Sequence, residues 1–161
     1  MKKIVFAAIV VFGLAACFKP PIPPIPTLGE VQLPVVGEEA VWSSTDYKGK
    51  PVFVVFMGSW CPYCQMNMPA VTAVAEEYGD RVEIVGVFMD ENAEEVQAVA
   101  KEHGLTVKAL YDGGDVAQSL GVNGLPHAIL FDKKHRVVKT WEGFKPTLAD
   151  EYKAALEKVT K

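Results

Sequence analysis

The hydrophobic positions of this chain form short runs that polar and glycine-containing turns separate. Residues 51–57 and 82–89 are almost wholly apolar and rich in β-branched side chains, which is typical of strands that are buried on both faces. Shorter apolar stretches predict five more strands, at residues 33–36, 39–42, 107–111, 128–131 and 137–141. The first two of these flank Gly37-Glu38 and form a hairpin in this interpretation.

Helical periodicity alternates with the strands. It predicts helices at residues 61–78, 93–103, 115–120 and 147–159. We expect Gly79-Asp80 to end the first helix, Gly104 to end the second and Asp115 to cap the third. Strands that alternate with helices, followed by a hairpin and a last helix, predict an α/β fold with a mixed central sheet flanked by helices.

The N-terminus carries the pattern of an export signal. Lys2 and Lys3 precede an apolar stretch, residues 4–16, that is too short to span a membrane comfortably. The stretch ends in Leu14-Ala15-Ala16-Cys17, which resembles the lipobox of bacterial lipoproteins. The resemblance implies cleavage before Cys17 and acylation of that cysteine. An ordinary signal peptide and an uncleaved anchor are the alternatives.

The residues after Cys17 predict a spacer and then one domain. Five prolines within residues 20–26 favour an extended polyproline segment, which we interpret as a spacer rather than a docking site. The predicted division is a signal peptide at 1–16, a lipidated cysteine and linker at 17–27, and a domain at 28–161.

Composition fits this division. Removal of residues 1–16 leaves 145 residues (161 minus 16), which is enough for one core. This mature chain has 14 basic residues (16 minus Lys2 and Lys3) and 20 acidic ones, hence a formal charge of −6. Nothing in it suggests nucleic-acid binding, and we expect a monomer.

Trp60-Cys61-Pro62-Tyr63-Cys64 is the segment that carries candidate chemistry. The predicted helix start favours the thiolate of Cys61, and Cys64 lies within disulfide reach on the same face. A zinc site would need a second cysteine pair, which is absent, and a structural disulfide closing so small a loop would constrain the unfolded chain little. A strand, a Cys-x-x-Cys pair and a helix in this order favour redox chemistry.

Two segments together resemble thioredoxin-fold proteins. Residues 49–64 are similar to the active-site strand and helix start of that fold, and residues 121–126 to the loop that carries its cis-proline. The N-terminal hairpin and a helix-containing insertion near residues 90–111 point to the TlpA/ResA-like branch. That branch comprises extracytoplasmic thiol–disulfide oxidoreductases, many of which serve cytochrome c maturation.

The resemblance implies a role for five residues. Cys61 would be the nucleophile that forms a mixed disulfide with a partner, and Cys64 the resolving thiol. Trp60 would pack beside the pair, or serve as a core aromatic. Pro126 would be cis, and the backbone of Leu125 would bond an extended substrate segment. The redox-active disulfide would replace any cofactor, and no metal is implied.

The chain also departs from the family pattern at four places. Val55 and Asn67 stand where thioredoxins and ResA-like proteins carry the carboxylates that handle protons for the buried thiol. His127 replaces a usual threonine; a cationic His127 close to Cys61 would favour the thiolate, and a side chain in the core or at the sheet edge is the alternative. The Pro62-Tyr63 dipeptide resembles that of glutaredoxins, and we predict an intermediate reduction potential.

The predicted partners are exported protein thiols or disulfides and a membrane electron donor or acceptor. The lipid on Cys17 would hold the protein outside the cytoplasm, facing the periplasm in a diderm host, where Phe18 rather than aspartate after Cys17 favours the outer membrane. The sequence leaves open a reductase, for example one that serves cytochrome c maturation, and a general oxidase or isomerase. A Cu(I)-handling module that uses Met57, Met66 and Met68 is a further alternative.

Overall fold

The computed structural model describes residues 27–161, which form seven strands and four α-helices. The strands are β1 (Gln32–Pro34), β2 (Val41–Ser43), β3 (Val52–Met57), β4 (Glu83–Phe88), β5 (Lys108–Leu110), β6 (His127–Phe131) and β7 (Val137–Glu142). The helices are α1 (Pro62–Tyr78), α2 (Ala93–Glu102), α3 (Gly114–Ser119) and α4 (Leu148–Thr160). A short 3₁₀ helix, Ser44–Tyr47, follows β2.

Five strands form one mixed sheet in the order β5-β4-β3-β6-β7. β3 is parallel to β4 and β4 to β5, whereas β6 is antiparallel to both β3 and β7. β1 and β2 pair separately as a short antiparallel hairpin. The predicted α/β fold, with a mixed sheet, flanking helices and an N-terminal hairpin, is therefore confirmed.

β3 is buried along its whole length because both faces of the sheet are covered. Phe53, Val55 and Met57 contact the apolar cluster that α1, α2 and α4 share. The alternate residues of β3 contact a second cluster, which includes side chains from the hairpin and α3. The period of two explains why the strand reads as an uninterrupted apolar run.

Three aromatic side chains connect the sheet to α4. Phe53, Trp141 and Tyr152 meet edge to face, with ring centroids 4.9 to 5.8 Å apart. Such pairs stabilise by about 0.5–1.5 kcal/mol beyond the area that they bury. A buried hydrogen bond and a surface ion pair, Lys153 Nζ to Glu77 Oε2 at 2.8 Å, further join α4 to α1.

The pairing of β3 with β6 defines the two ends of the sheet. His127 lies opposite Phe56, and Phe131 lies opposite Val52. The loop before β6 therefore lies beside the carboxyl end of β3, and the turn between β6 and β7 lies at the other end.

Asp115 does not cap α3, so that prediction is wrong. Gly113 is the N-cap residue, no side chain bonds to this helix start, and Asp115 lies inside the first turn. The backbone N–H of Gly113 donates to Phe88 O at 2.9 Å, which holds the helix start against β4. A Cβ at Gly113 would collide with the Val87 side chain, so glycine suits this close approach.

Within residues 27–161, no helix is both long enough and apolar enough to cross a membrane. The predicted signal peptide and most of the linker, with Cys17, lie outside the described residues.

Candidate functional site

The Cys-x-x-Cys pair lies where β3 passes into α1. Cys61 is the N-cap residue with extended backbone angles, and Pro62 occupies the first turn, where its missing N–H costs no hydrogen bond. The Cys61 sulfur accepts a hydrogen bond from the backbone N–H of Cys64 at 3.2 Å. The two cysteines form a disulfide, with Cα atoms 5.2 Å apart.

The two sulfur-bearing residues differ in exposure. Cys64 is fully buried, whereas Cys61 is half-buried at the helix start. A reaction partner from solvent therefore meets Cys61 first. This is the asymmetry that an attacking and a resolving thiol require.

A buried carboxylate fixes the turn that precedes Cys61. Asp90, 6% exposed, follows β4 and accepts hydrogen bonds from both the backbone N–H (3.0 Å) and the hydroxyl of Ser59. The Gln65 side chain donates to Ser59 O at 2.8 Å. These bonds tie the β3–α1 turn to the end of β4 and to the first turn of α1.

The loop before β6 faces the same end of the sheet. The Leu125–Pro126 peptide bond is cis, the isomer that the resemblance implies. Pro126 is buried, and its carbonyl accepts from the Gly143 N–H at 2.8 Å. Leu125 is half-buried and contacts both apolar clusters. Cys61 contacts the first of these, the cluster that α1, α2 and α4 share, so both residues border the same cluster.

Three large apolar side chains close to the pair along the chain are exposed. Trp60, Tyr63 and Met66 are 62%, 62% and 55% exposed. The Trp60 ring lies over Gly58, where a Cβ would come within 2.9 Å of three ring atoms. Trp60 is thus not a core aromatic, and we call these three exposed residues, all within five positions of Cys61, the apolar rim.

The two positions that lack the family carboxylates are both buried. Val55 lies in the core and pairs with Ala128 across β3 and β6. Asn67 is fully buried, and its amide donates to the Tyr152 hydroxyl at 3.2 Å. Burial raises the pKa of Tyr152 to about 12, although the Asn67 hydrogen bond lowers it slightly. The pair is therefore uncharged near neutral pH.

His127 is buried in the first position of β6, so the core alternative describes its placement. It lies opposite Phe56 in the sheet. Because side chains alternate along a strand, His127 lies on the same face of β6 as Ile129. Ile129 belongs to the second apolar cluster, whereas Cys64 belongs to the first. Burial lowers its pKa, and the carboxylate of Glu142, 4.0 Å from Nδ1, partly opposes this effect. His127 is consequently neutral at neutral pH.

The three methionines of the copper alternative do not share one environment. Met57 and Met68 lie in the same buried cluster as Cys64, whereas Met66 is exposed. Among the described residues, no group of three or more His, Cys, Asp and Glu side chains could hold a metal ion.

Sequence reasoning missed Asp90 and Tyr152. Asp90 does not cap the nearby helix α2, because Asn92 caps it by accepting from the Glu94 N–H at 2.9 Å. The position of Asp90 directly after a buried strand could have indicated its role. Tyr152 lies 85 positions from Asn67 along the chain, and no local signal points to their contact.

Comparisons with known proteins agree with this geometry. The ResA thiol-disulfide oxidoreductase of Bacillus thuringiensis subsp. konkukian is 34% identical over 100 residues, which cover 61% of this chain and 58% of ResA. The chain thus matches less than two thirds of that relative's length.

Solved structures share the fold. One, assigned to the thiol:disulfide interchange protein DsbE of Chlorobium tepidum, has a TM-score of 0.76 at 20% identity and covers 84% of this chain and 96% of its own. The exposed lipoprotein thioredoxin of Streptococcus pneumoniae has a TM-score of 0.66 at 27% identity, covering 80% and 98% respectively. The Redoxin family model matches residues 24–156, and the chain therefore belongs to the Redoxin family.

Proposed function

We propose that this protein is a thiol–disulfide oxidoreductase that exchanges the Cys61–Cys64 dithiol and disulfide with protein substrates. The observation that carries the proposal is the exposure difference within the pair: Cys61 is half-buried at the helix start and Cys64 is fully buried. The similarity to ResA supports the same reaction class.

The exchange runs through a mixed disulfide. In the reducing direction, the Cys61 thiolate attacks a substrate disulfide, forms one new S–S bond and releases one substrate thiolate. The Cys64 sulfur, after losing its proton, attacks Cys61 and releases the second substrate thiol. The substrate gains two electrons from the pair and two protons, one that Cys64 releases and one from water, and the pair becomes the Cys61–Cys64 disulfide; oxidation is the reverse.

Two features near the pair support a protein rather than a small-molecule substrate. The apolar rim of Trp60, Tyr63 and Met66 offers contact area beside Cys61. Leu125 precedes the first paired residue of β6, so its backbone groups can bond an extended segment beside the disulfide.

We expect Trp60→Ala to lower kcat/KM for a protein disulfide several-fold while leaving the rate with a small disulfide nearly unchanged.

Trapping tests the exchange mechanism. The Cys64→Ser variant retains the proposed nucleophile but lacks the resolving thiol, so mixed disulfides on Cys61 should accumulate. The Cys61→Ser/Cys64→Ser variant is the matched control and should trap nothing. If the Cys64→Ser variant traps no partner, the exchange mechanism fails.

We further propose that acylation of Cys17 holds the domain outside the cytoplasm on a bacterial membrane, where it faces the periplasm in a diderm host. The lipobox-like Leu14-Ala15-Ala16-Cys17 supports this, as does the similarity to an exposed lipoprotein thioredoxin. A mass spectrum of the mature N-terminus should show Cys17 carrying acyl chains, and an unmodified Cys17 would refute the anchor.

Cytochrome c maturation is the specific pathway that we propose, on the family resemblance. Trapped c-type apocytochromes would support it. A varied set of envelope proteins would instead assign a general oxidase or isomerase.

A further inference from the structure

The end of the sheet that lies opposite the Cys61 pair carries a cluster of cationic side chains. They line two adjoining cavities of about 300 and 370 Å³, to which Lys133 and Lys134 both contribute. The cationic residues of the cluster, all exposed, are Lys48, Lys133, Lys134, Arg136 and Lys158. We call this cluster the basic end.

Two carboxylates, Glu30 and Asp132, line the same two cavities. Both carboxylate oxygens of Asp132 already have partners. Its Oδ2 lies 2.6 Å from Arg136 Nη2, and its Oδ1 accepts from the Lys134 N–H at 2.8 Å. Among the residues that line the cavities, five cations against two anions leave a charge of +3, on a chain whose formal charge is −4. The positive charge is therefore a local feature and not a consequence of composition.

The chain reaches the domain at this same end. Thr27 pairs with Arg136 in an isolated bridge, and the Leu28 N–H donates to His135 O at 2.9 Å. Thr27 also lines the first of the two cavities. Thr27 follows Cys17 by ten positions, and ten residues of fully extended chain span at most about 36 Å. A membrane that holds Cys17 must lie within that reach of the basic end.

We propose that the basic end binds the anionic phospholipid headgroups of the membrane that holds Cys17. The inference rests on the proposed acylation of Cys17. Each lysine close to an anionic bilayer strengthens binding by about fivefold, so the four lysines of the basic end orient the domain even though Arg136 is paired with Asp132. The six residues of β3 span about 20 Å, which directs the Cys61 pair away from the bilayer and toward exported substrates.

Lysine labelling of the lipidated full protein on vesicles tests this orientation. We expect an amine-reactive acetylating reagent to modify Lys133 and Lys134 at least about fivefold more slowly on phosphatidylcholine vesicles with one third phosphatidylglycerol than on pure phosphatidylcholine. High salt should remove the difference. Lys101 and Lys145, exposed lysines outside the basic end, serve as internal controls and should react equally on both vesicles. Equal labelling of Lys133 and Lys134 on the two vesicles would overturn the proposal.

Charge-reversed variants provide a second, independent readout. Lys133→Glu/Lys134→Glu should abolish the protection of Lys48 and Lys158, whereas Lys101→Glu/Lys145→Glu, which changes net charge equally, should retain it. If Lys48 and Lys158 remain protected from labelling in the first variant, or lose their protection in both variants, the result contradicts specific binding by the basic end.

The failure of the anchor is distinguishable from the failure of this surface. A protein without acyl chains does not sediment with phosphatidylcholine vesicles, which refutes the anchor alone. If this protein without acyl chains still sediments with anionic vesicles at low salt, and Lys133→Glu/Lys134→Glu abolishes that sedimentation, the result supports the basic end. If it does not sediment with anionic vesicles, the proposed lipid binding by the basic end is overturned.

Discussion

Asn67 and Tyr152 are two buried polar side chains that satisfy each other across α1 and α4. Their hydrogen bond is 3.2 Å long, and both side chains lie in the core. Removal of one partner leaves the other buried without a partner, which costs about 1–3 kcal/mol. We expect Tyr152→Phe to lower the free energy of unfolding by that amount, measured by urea denaturation. Tyr63→Phe, at an exposed tyrosine, is the control and should change it by less than about 0.5 kcal/mol.

The raised pKa of Tyr152 also predicts how the free energy of unfolding changes at alkaline pH. Burial raises it to about 12, above the ordinary value of 10.0, so the folded state resists ionisation that the unfolded state allows. The stability that this group contributes is complete below pH 10 and is lost as the pH rises toward 12. That loss should be smaller in Tyr152→Phe, and an identical alkaline profile in both proteins would contradict the assignment.

His127 gives the opposite pH dependence. Burial lowers its pKa from 6.5 and Glu142 only partly offsets this, so the unfolded state binds a proton more readily than the folded state. The stability that His127 contributes is complete above pH 6.5 and is lost as the pH falls below it. Urea denaturation between pH 5 and 8 should show a shallower acidic decline for His127→Gln than for the wild type, while His103→Gln should retain the full decline.

At the scale of elements, the link between Ser59 and Asp90 holds the β3–α1 turn against the end of β4. Asp90→Ala removes the acceptor of the Ser59 N–H and hydroxyl, so we expect a loss of about 1–3 kcal/mol in unfolding free energy. Amide exchange of Ser59 and Trp60 should also become faster, because the turn loses its anchor. Glu91→Ala, at the exposed neighbouring carboxylate, should change neither measurement. Unchanged exchange in Asp90→Ala would show that other contacts position the turn.

The elements themselves follow from local patterns. The uninterrupted apolar run of β3 and the glycine-containing turns are properties of neighbouring residues, and they predicted the sheet and helices to within a few positions. The contacts that support the candidate site join residues 31 and 85 positions apart, and no local pattern encodes them. The Asp115 cap of the third helix was predicted wrongly for the same reason, since the start of that helix depends on the packing of Gly113 against β4.

At the scale of the whole molecule, the reduction potential depends on how strongly the fold stabilises the two thiols relative to the disulfide. The start of α1 offers the backbone N–H of Cys64 to the Cys61 sulfur, which favours a thiolate and hence the reduced form. A stabilised reduced form makes the disulfide more oxidising. Across related proteins this effect spans about −270 to −120 mV.

We therefore expect the Cys61–Cys64 pair to titrate between these limits in glutathione redox buffers. Deep burial of Cys64, with Asn67 in place of a carboxylate, argues against the strongly reducing end, because no neighbouring anion at that position destabilises the Cys61 thiolate. Asn67→Asp adds such an anion and should lower the potential, whereas Asp80→Asn at an exposed surface position should leave it unchanged. A potential at or below that of thioredoxin in the wild type would contradict the thiolate-stabilising role of the helix start.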